Sequence, residues 1–319
     1  MKICVFGAGA VGGHIAAKLA ASGHDVSVVA RGAHLEAMRR NGITLRHGPQ
    51  TIRGKVRAAA SGKELGAQDV VIVALKANML GAFALQCEPL LGPDTAVVFA
   101  QNGIPWWYDE RLEKLDPGRR LARAVERRRI LGGVVYSANE VIEPGVIENR
   151  VPGNNMLVIG EIDKEDRPRT LELRRALERA DMASPPVEDI RQAIWSKLGQ
   201  NFATSTLCTI TGLTVAEIRE GELGRIAQAA GEEARAIARG LGVDIERAPK
   251  RPSGKQDSGG IAHKPSMLQD YERGRPMEVE SQLVAPLVLG RAAGVQAPTV
   301  GVLSALVAAQ AAAKGLFTR

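Results

Sequence analysis

The sequence predicts an α/β domain built on a parallel sheet, followed by an all-α domain. Three observations carry this expectation. Strand-like and helix-like runs alternate through the first half of the chain. Val70 to Ala74 and Ala96 to Ala100 are wholly apolar, as central parallel strands buried on both faces must be. From about Arg191 the apolar spacing becomes helical nearly to the end. Ser184, Pro185 and Pro186 interrupt the chain where the pattern changes, so the expected domains are 1–188 and 189–319.

The first element is Lys2 to Phe6, a short buried strand. Gly7, Gly9 and Gly12 follow in G-x-G-x-x-G spacing, then a helical run over Ile15 to Ala21. Each glycine has a physical task. Gly7 permits a tight strand-to-helix turn, and Gly9 lets a pyrophosphate approach the backbone. Gly12 allows close packing of helix on strand. The helix N-terminus offers N–H groups to phosphate oxygens, and Ala10 is counted with the three glycines as cofactor-binding. A second strand, Asp25 to Ala30, follows at βαβ distance. It ends in Val29, Ala30 and Arg31, with no acid to accept from a ribose 2′-OH. An arginine fork suits a 2′-phosphate, so Arg31 points to NADP(H). A solvated arginine at a strand end is the plainer alternative.

Further strands are expected at Leu131 to Ser137, Val146 to Glu148 and Met156 to Ile159. Turns at Pro144–Gly145 and Pro152–Gly153 separate them, and a helix follows over Leu171 to Ala180. Two motifs sit at ends of the parallel strands, where open α/β sheets take ligands. Lys76, in VALK, could meet cofactor phosphate. Asn102, in FAQNG, could bond a nicotinamide ribose or a substrate, although Asn-Gly is also an ordinary turn pair. In the second half, Lys197, Asn201 and Ser205 recur every four residues and share one helix face. That face suits a ligand cleft or plain water equally. Ser266 opens a helix after Pro265, and Glu278 starts the next helical pattern, where an acid also suits the helix dipole.

Composition narrows the function class. The length of 319 residues suits two domains with real cores. Aromatic residues make up only 3%, so aliphatic side chains must fill those cores. The net charge of +7 gathers in arginines such as Arg127–Arg129, but acids are interspersed and no aromatic stacking platform accompanies them. Nucleic acid is therefore not the expected partner. No apolar run approaches the ~20 residues of a membrane span, and no signal-peptide pattern opens the chain. Cys4, Cys87 and Cys208 are odd in number and far apart, so they read as reduced core residues in a cytoplasmic protein. No histidine falls at metal-ligand spacing, so no metal is expected. His263 lies in a polar loop over 249–265 that could be a lid or a long surface connection.

Taken together, GAGAVGG, Arg31, LKAN, QNG, WSKLGQN, SMLQD and Glu278 arrive in the order of one family. The chain resembles the ketopantoate reductases (2-dehydropantoate 2-reductases) over essentially its whole length. The resemblance implies a Rossmann-type domain, then an all-helical domain, with the active site in the cleft between them. It implies that Arg31 and Lys76 hold the 2′-phosphate of NADPH and that Lys197 is the catalytic lysine. Asn102, Asn201, Ser266 and Glu278 would line the substrate and nicotinamide site.

There are departures from the family pattern. Ser205 stands where the family often has a second asparagine, and Glu280 where many members have Asp. Both bear on substrate identity and leave the reaction type intact. The expected reaction is hydride transfer from NADPH to the C2 carbonyl of a 2-oxo acid, with Lys197 as general acid and ketopantoate the favoured substrate. Glu278 would orient the substrate hydroxyl or tune Lys197, and Asn201, Ser205 and Ser266 would contact substrate. A reductase of another branched 2-oxo acid is the alternative within the class. A sensor that binds NADP(H) without turnover is the alternative outside it. The apolar helices from Val279 onward would suit a homodimer.

Overall fold

The computed structural model describes residues 1–250 and 264–318. The polar stretch 249–265 therefore falls largely outside the described residues, and His263 with it. The chain forms two compact units. The first contains Met1–Gln101 and Asp116–Ile190. The second contains Asn102–Leu115, Arg191–Ala248 and the described C-terminal residues. Asn102–Leu115 thus cluster with the helical part, although a single division at 188/189 leaves them in the first domain.

Eleven strands belong to the first unit. They are β1 (Lys2–Phe6), β2 (Asp25–Val29), β3 (Ile43–His47), β4 (Gln50–Gly54), β5 (Arg57–Ala59), β6 (Gln68–Val73), β7 (Leu91–Ala100), β8 (Ile130–Tyr136), β9 (Asn139–Glu143), β10 (Val146–Asn149) and β11 (Met156–Glu161). Its helices are α1 (Ala10–Ala21), α2 (Gly32–Asn41), α3 (Gly81–Ala84), α4 (Arg120–Ala124) and α5 (Pro168–Arg179). Seven strands form one sheet in the order β11-β8-β7-β6-β1-β2-β5. All neighbours in it are parallel except β11, which closes the edge antiparallel to β8. Counted along the chain, the six parallel strands have the 3-2-1-4-5-6 order of a doubly wound dinucleotide fold.

Both faces of the sheet are covered, which explains the unbroken apolar runs. On one face Ile3, Val5, Ile72 and Val98 pack with Ile15 and Leu19 of α1 and Leu173 and Leu177 of α5. On the other, Phe83 of α3 sits edge-on to Phe6 and Phe99, with ring centroids 5.0 and 5.8 Å apart. Cys4, Cys87 and Cys208 are free and buried. Burial pushes the thiols up, that of Cys4 to about 12, so they serve as small core side chains.

A second, four-stranded sheet runs β4-β3-β10-β9. Two hairpins, β3–β4 and β9–β10, join through the parallel pair β3–β10. The sequence alone points to β10 but not to β3, β4 or β9. Their runs ITLRH, QTIRG and NEVIE are short and half-exposed, so no apolar block marks them.

The second unit is helical: α6 (Ile190–Thr211), α7 (Gly221–Gly240), α8 (Ser266–Glu272), α9 (Ala285–Ala292) and α10 (Pro298–Ala313). α10 opens on Pro298 without a cap of its own. Glu233 of α7 supplies one, its carboxylate accepting from Thr299 N and Val300 N at 3.0 and 2.8 Å. Among the described residues no helix is long and apolar enough to cross a membrane.

His14 of α1 is fully buried, and neither ring nitrogen has a hydrogen-bond partner among the described residues. Burial, reinforced by the nearby Lys18 and His47, pushes its pKa down to about 3. The unfolded chain takes up this proton near pH 6.5, the folded chain only near pH 3. Stability is therefore present above pH 6.5 and is lost as pH falls toward 3. Urea unfolding between pH 7 and pH 5 should show wild-type stability falling by up to ~1.4 kcal/mol per unit from this group. His14→Gln should flatten that slope, and an unchanged slope would remove His14 as its source.

Candidate active site

The register of the parallel strands gathers the first set of site residues. Phe6 lies opposite Val29 on one side and Val73 on the other. Three neighbouring strands therefore end together. Gly7, Arg31 and Lys76 leave the same edge of the sheet, where doubly wound folds take ligands. Gly7 N and Ala8 N both donate to Val29 O, at 3.0 and 3.2 Å, and Ala74 N donates to Phe6 O at 2.9 Å. Gly7 turns the chain with φ +98°. A Cβ on Gly12 would stand 2.2 Å from Gly7 O and 3.0 Å from Ala74 Cβ, so only glycine lets α1 pack there.

α1 starts at Ala10 with Gly9 as N-cap. No side chain caps it, and its first turn holds no acid. Nothing stands within 4 Å of where a Gly9 Cβ would be, so the backbone is open to a ligand. An uncapped helix N-terminus beside an open glycine fits a pyrophosphate. Arg31 is exposed at the N-cap of α2, whose first turn also holds no acid. Lys76 is half-buried and precedes the short turn Ala77–Met79.

His34, three residues past Arg31, has a place that its sequence position does not advertise. Its Nε2 lies 2.6 Å from Ala8 O, and its Nδ1 accepts from Gly145 N at 2.8 Å.

The second set stands on the helical unit. α6 carries Lys197, Asn201 and Ser205 on one face. Lys197 and Asn201 are half-buried and Ser205 is 5% exposed, so this line of polar groups does not simply face water. Trp195, Leu198 and Phe202 fill the core beside it. Trp195 Nε1 donates to Tyr108 OH at 2.7 Å, which fastens the Asn102–Leu115 segment to α6. The Arg191 guanidinium lies 5.5 Å from the Tyr108 ring centre and 5.8 Å from that of Trp107.

Gln282 joins the remaining pieces. It is 4% exposed and lies in a π-helical turn, Glu280–Val284, that follows Glu278. Its Oε1 accepts from Asn201 Nδ2 and its Nε2 donates to Glu278 Oε2, both at 3.5 Å. Ile104 N donates to Ser281 O at 2.8 Å, which brings Asn102–Gly103 against the same turn. Asn102 Oδ1 is buried there without a hydrogen-bond partner among the described residues, an acceptor awaiting a donor. The structure thus links Asn201 and Glu278 through Gln282, and holds the loop bearing Asn102 against the same turn through Ser281. Ser266 is exposed at the start of α8, and no described hydrogen bond joins its side chain or that of Ser205 to this group. Glu280 is partly buried. Desolvation raises its carboxyl pKa, with Lys114 pulling the other way.

The comparisons with known proteins decide the family. The description "Ketopantoate reductase PanE/ApbA" matches residues 3–164, and its C-terminal counterpart matches residues 189–311. The chain belongs to the ketopantoate reductase family. It is an oxidoreductase. A 2-dehydropantoate 2-reductase of Mesorhizobium japonicum is 42% identical over all of both chains. A protein of Ralstonia solanacearum MolK2, solved as a candidate ketopantoate reductase, is 34% identical, with a TM-score of 0.86 over 99% of both chains. The 2-dehydropantoate 2-reductase of Methylococcus capsulatus is 26% identical, with a TM-score of 0.80 over 98% of both.

Sequence reasoning had no signal for His34 or Gln282. A histidine in a first helical turn and a glutamine in an apolar helical run both read as ordinary. The partners that single them out, Ala8 and Gly145 for His34 and Asn201 for Gln282, come from segments distant in sequence. A test lies in Gly103. Its φ is +85°, and a Cβ there would stand 2.8 Å from Ser281 C and O. Gly103→Ala should cost about 1–3 kcal/mol, combining left-handed strain with the clash. Thermal unfolding checks this, and a melting temperature equal to wild type would contradict the packing.

Proposed function

We propose that the protein reduces ketopantoate to pantoate with NADPH. The observation that carries the reading is the polar group Lys197, Asn201, Gln282 and Glu278 on the helical unit, in a family whose relatives act on 2-dehydropantoate. The glycine turn fits a dinucleotide by its uncapped helix and open backbone at Gly9. Gly7, Gly9, Ala10 and Gly12 would hold the pyrophosphate. Arg31 and Lys76 would take the 2′-phosphate, because their strand ends share one sheet edge and α2 offers no acid in its first turn. Asn102, with its orphaned buried oxygen, would accept from the nicotinamide ribose or the substrate.

When bound, the reduced nicotinamide supplies the hydride that reduces the C2 carbonyl carbon. Lys197 Nζ donates a proton to the carbonyl oxygen, so the product is a 2-hydroxy acid, and solvent returns the proton to the amine. The ammonium also offsets the negative charge that grows on that oxygen. Asn201, held by Gln282, presents an amide of fixed orientation to the substrate, and Glu278 accepts from its hydroxyl. Ser205 and Ser266 complete the substrate contacts. Ser205, buried where the family often has asparagine, favours one second reading: the same chemistry on another branched 2-oxo acid.

Purified protein should oxidise NADPH with ketopantoate faster than with other 2-oxo acids. A preference for a different 2-oxo acid would support the second reading, and cofactor binding with no turnover on any would leave a sensor. Lys197→Ala should lower kcat by about 10²–10⁴-fold and leave NADPH binding intact. A mutant with wild-type kcat would remove Lys197 as the acid. Arg31→Ala should raise KM for NADPH roughly tenfold while sparing KM for NADH. Equal effects on both would refute the 2′-phosphate contact.

A further inference from the structure

We infer that His34 is a positioning residue for the cofactor: it aims the glycine turn by holding the Ala8 carbonyl. The inference rests on the proposal that the dinucleotide binds at this turn. The geometry is compact. His34 Nδ1 accepts from Gly145 N at 2.8 Å, so Nδ1 carries no proton. In the neutral ring the proton is then on Nε2, which donates to Ala8 O at 2.6 Å. One imidazole therefore spans three segments that are far apart in sequence: the glycine turn, the start of α2, and the β9–β10 turn.

The consequence for Gly9 follows from the trans peptide. The structure holds no cis peptide bond among its described residues, and in a trans unit C=O and N–H point in opposite directions. Fixing Ala8 O toward His34 turns the Gly9 N–H away from it. The other backbone groups of the turn are also committed: Gly7 N and Ala8 N go to Val29 O, and Gly13 N goes to Gly9 O at 2.7 Å. His34 thereby sets the one peptide of the turn that strand pairing and helix formation leave adjustable. That peptide leads into the uncapped N-terminus of α1. Pyrophosphate is common to NADPH and NADH, so His34 acts on both cofactors alike, unlike Arg31.

The experiment is direct titration of full-length protein with NADPH and with NADH, in the absence of substrate, for wild type, His34→Ala and His34→Gln. His34→Ala should raise both dissociation constants roughly tenfold, the size of a lost buried hydrogen bond, with their ratio unchanged. Glutamine offers an NH2 donor and a carbonyl acceptor, so His34→Gln should recover most of the affinity. A purely structural role would lower the melting temperature of both variants without this cofactor-specific recovery. If His34→Ala does not fold, His34→Gln and His34→Phe carry the test, since phenylalanine fills the space without either bond. Unchanged affinities in variants of a wild type that binds both cofactors would overturn this inference alone. An effect confined to NADPH would also overturn it, by placing the action of His34 at Arg31. A wild type that binds neither cofactor would overturn the dinucleotide reading, and this inference with it.

Discussion

The parallel register of β1 between β2 and β6 is the constraint on which the first unit depends. Phe6 pairs with Val29 and with Val73, so three chain segments leave one sheet edge at the same height. Two consequences follow at once. Gly7 N and Ala8 N find their acceptor in Val29 O, which bends the chain into α1. The strands that lead to Arg31 and Lys76, 45 positions apart by their numbering, flank β1 on its two sides and end at the same edge of the sheet. A one-residue slip would exchange the faces of a strand and expel its apolar side chains from the core. The buried faces of β1 and β6 thus fix the site as firmly as they fix the fold.

The helical unit solves a different problem. A lysine amine and an asparagine amide must be held while remaining polar and partly buried, and each buried polar group needs a partner. α6 supplies spacing, with Lys197 and Asn201 one turn apart. The π-helical turn at Glu280–Val284 supplies the counterpart. The side chains of Gln282 and Glu278, four residues apart, meet in it. Such turns recur at functional sites because they re-aim side chains at a modest cost in helix geometry. Tyr108 and Trp195, among the few aromatic residues of this chain, fasten the segment that starts with Asn102 to the same helix.

Positive charge on this protein has a local use. Arg128 and Arg129 pair with Glu126, and Arg129 also donates to backbone carbonyls. Glu161, buried at the end of β11, takes Arg167, Arg169 and Thr170 together. Such pairs use the excess base for structure, because a buried carboxylate is tolerated only with hydrogen-bonded partners. This agrees with an enzyme of small molecules.

The sequence alone carries the α/β character of the first part, the glycine turn and the helical second part. These are local properties: apolar runs, glycine spacing and helical periodicity are each written in a few consecutive residues. It also placed Lys197 and Asn201 on one helix face, because 3.6-residue periodicity needs no tertiary contact. The small sheet was hidden, since NEVIE and QTIRG owe their strand form to pairing with distant partners rather than to an apolar block. That Asn102–Leu115 groups with the helices, that Gln282 bridges Asn201 and Glu278, and that His34 holds Ala8 emerge only in the folded chain. Each depends on a hydrogen bond or packing contact between segments far apart in the chain. Whether a polar side chain faces water or a partner is set by what folding brings opposite it, and no local pattern records that.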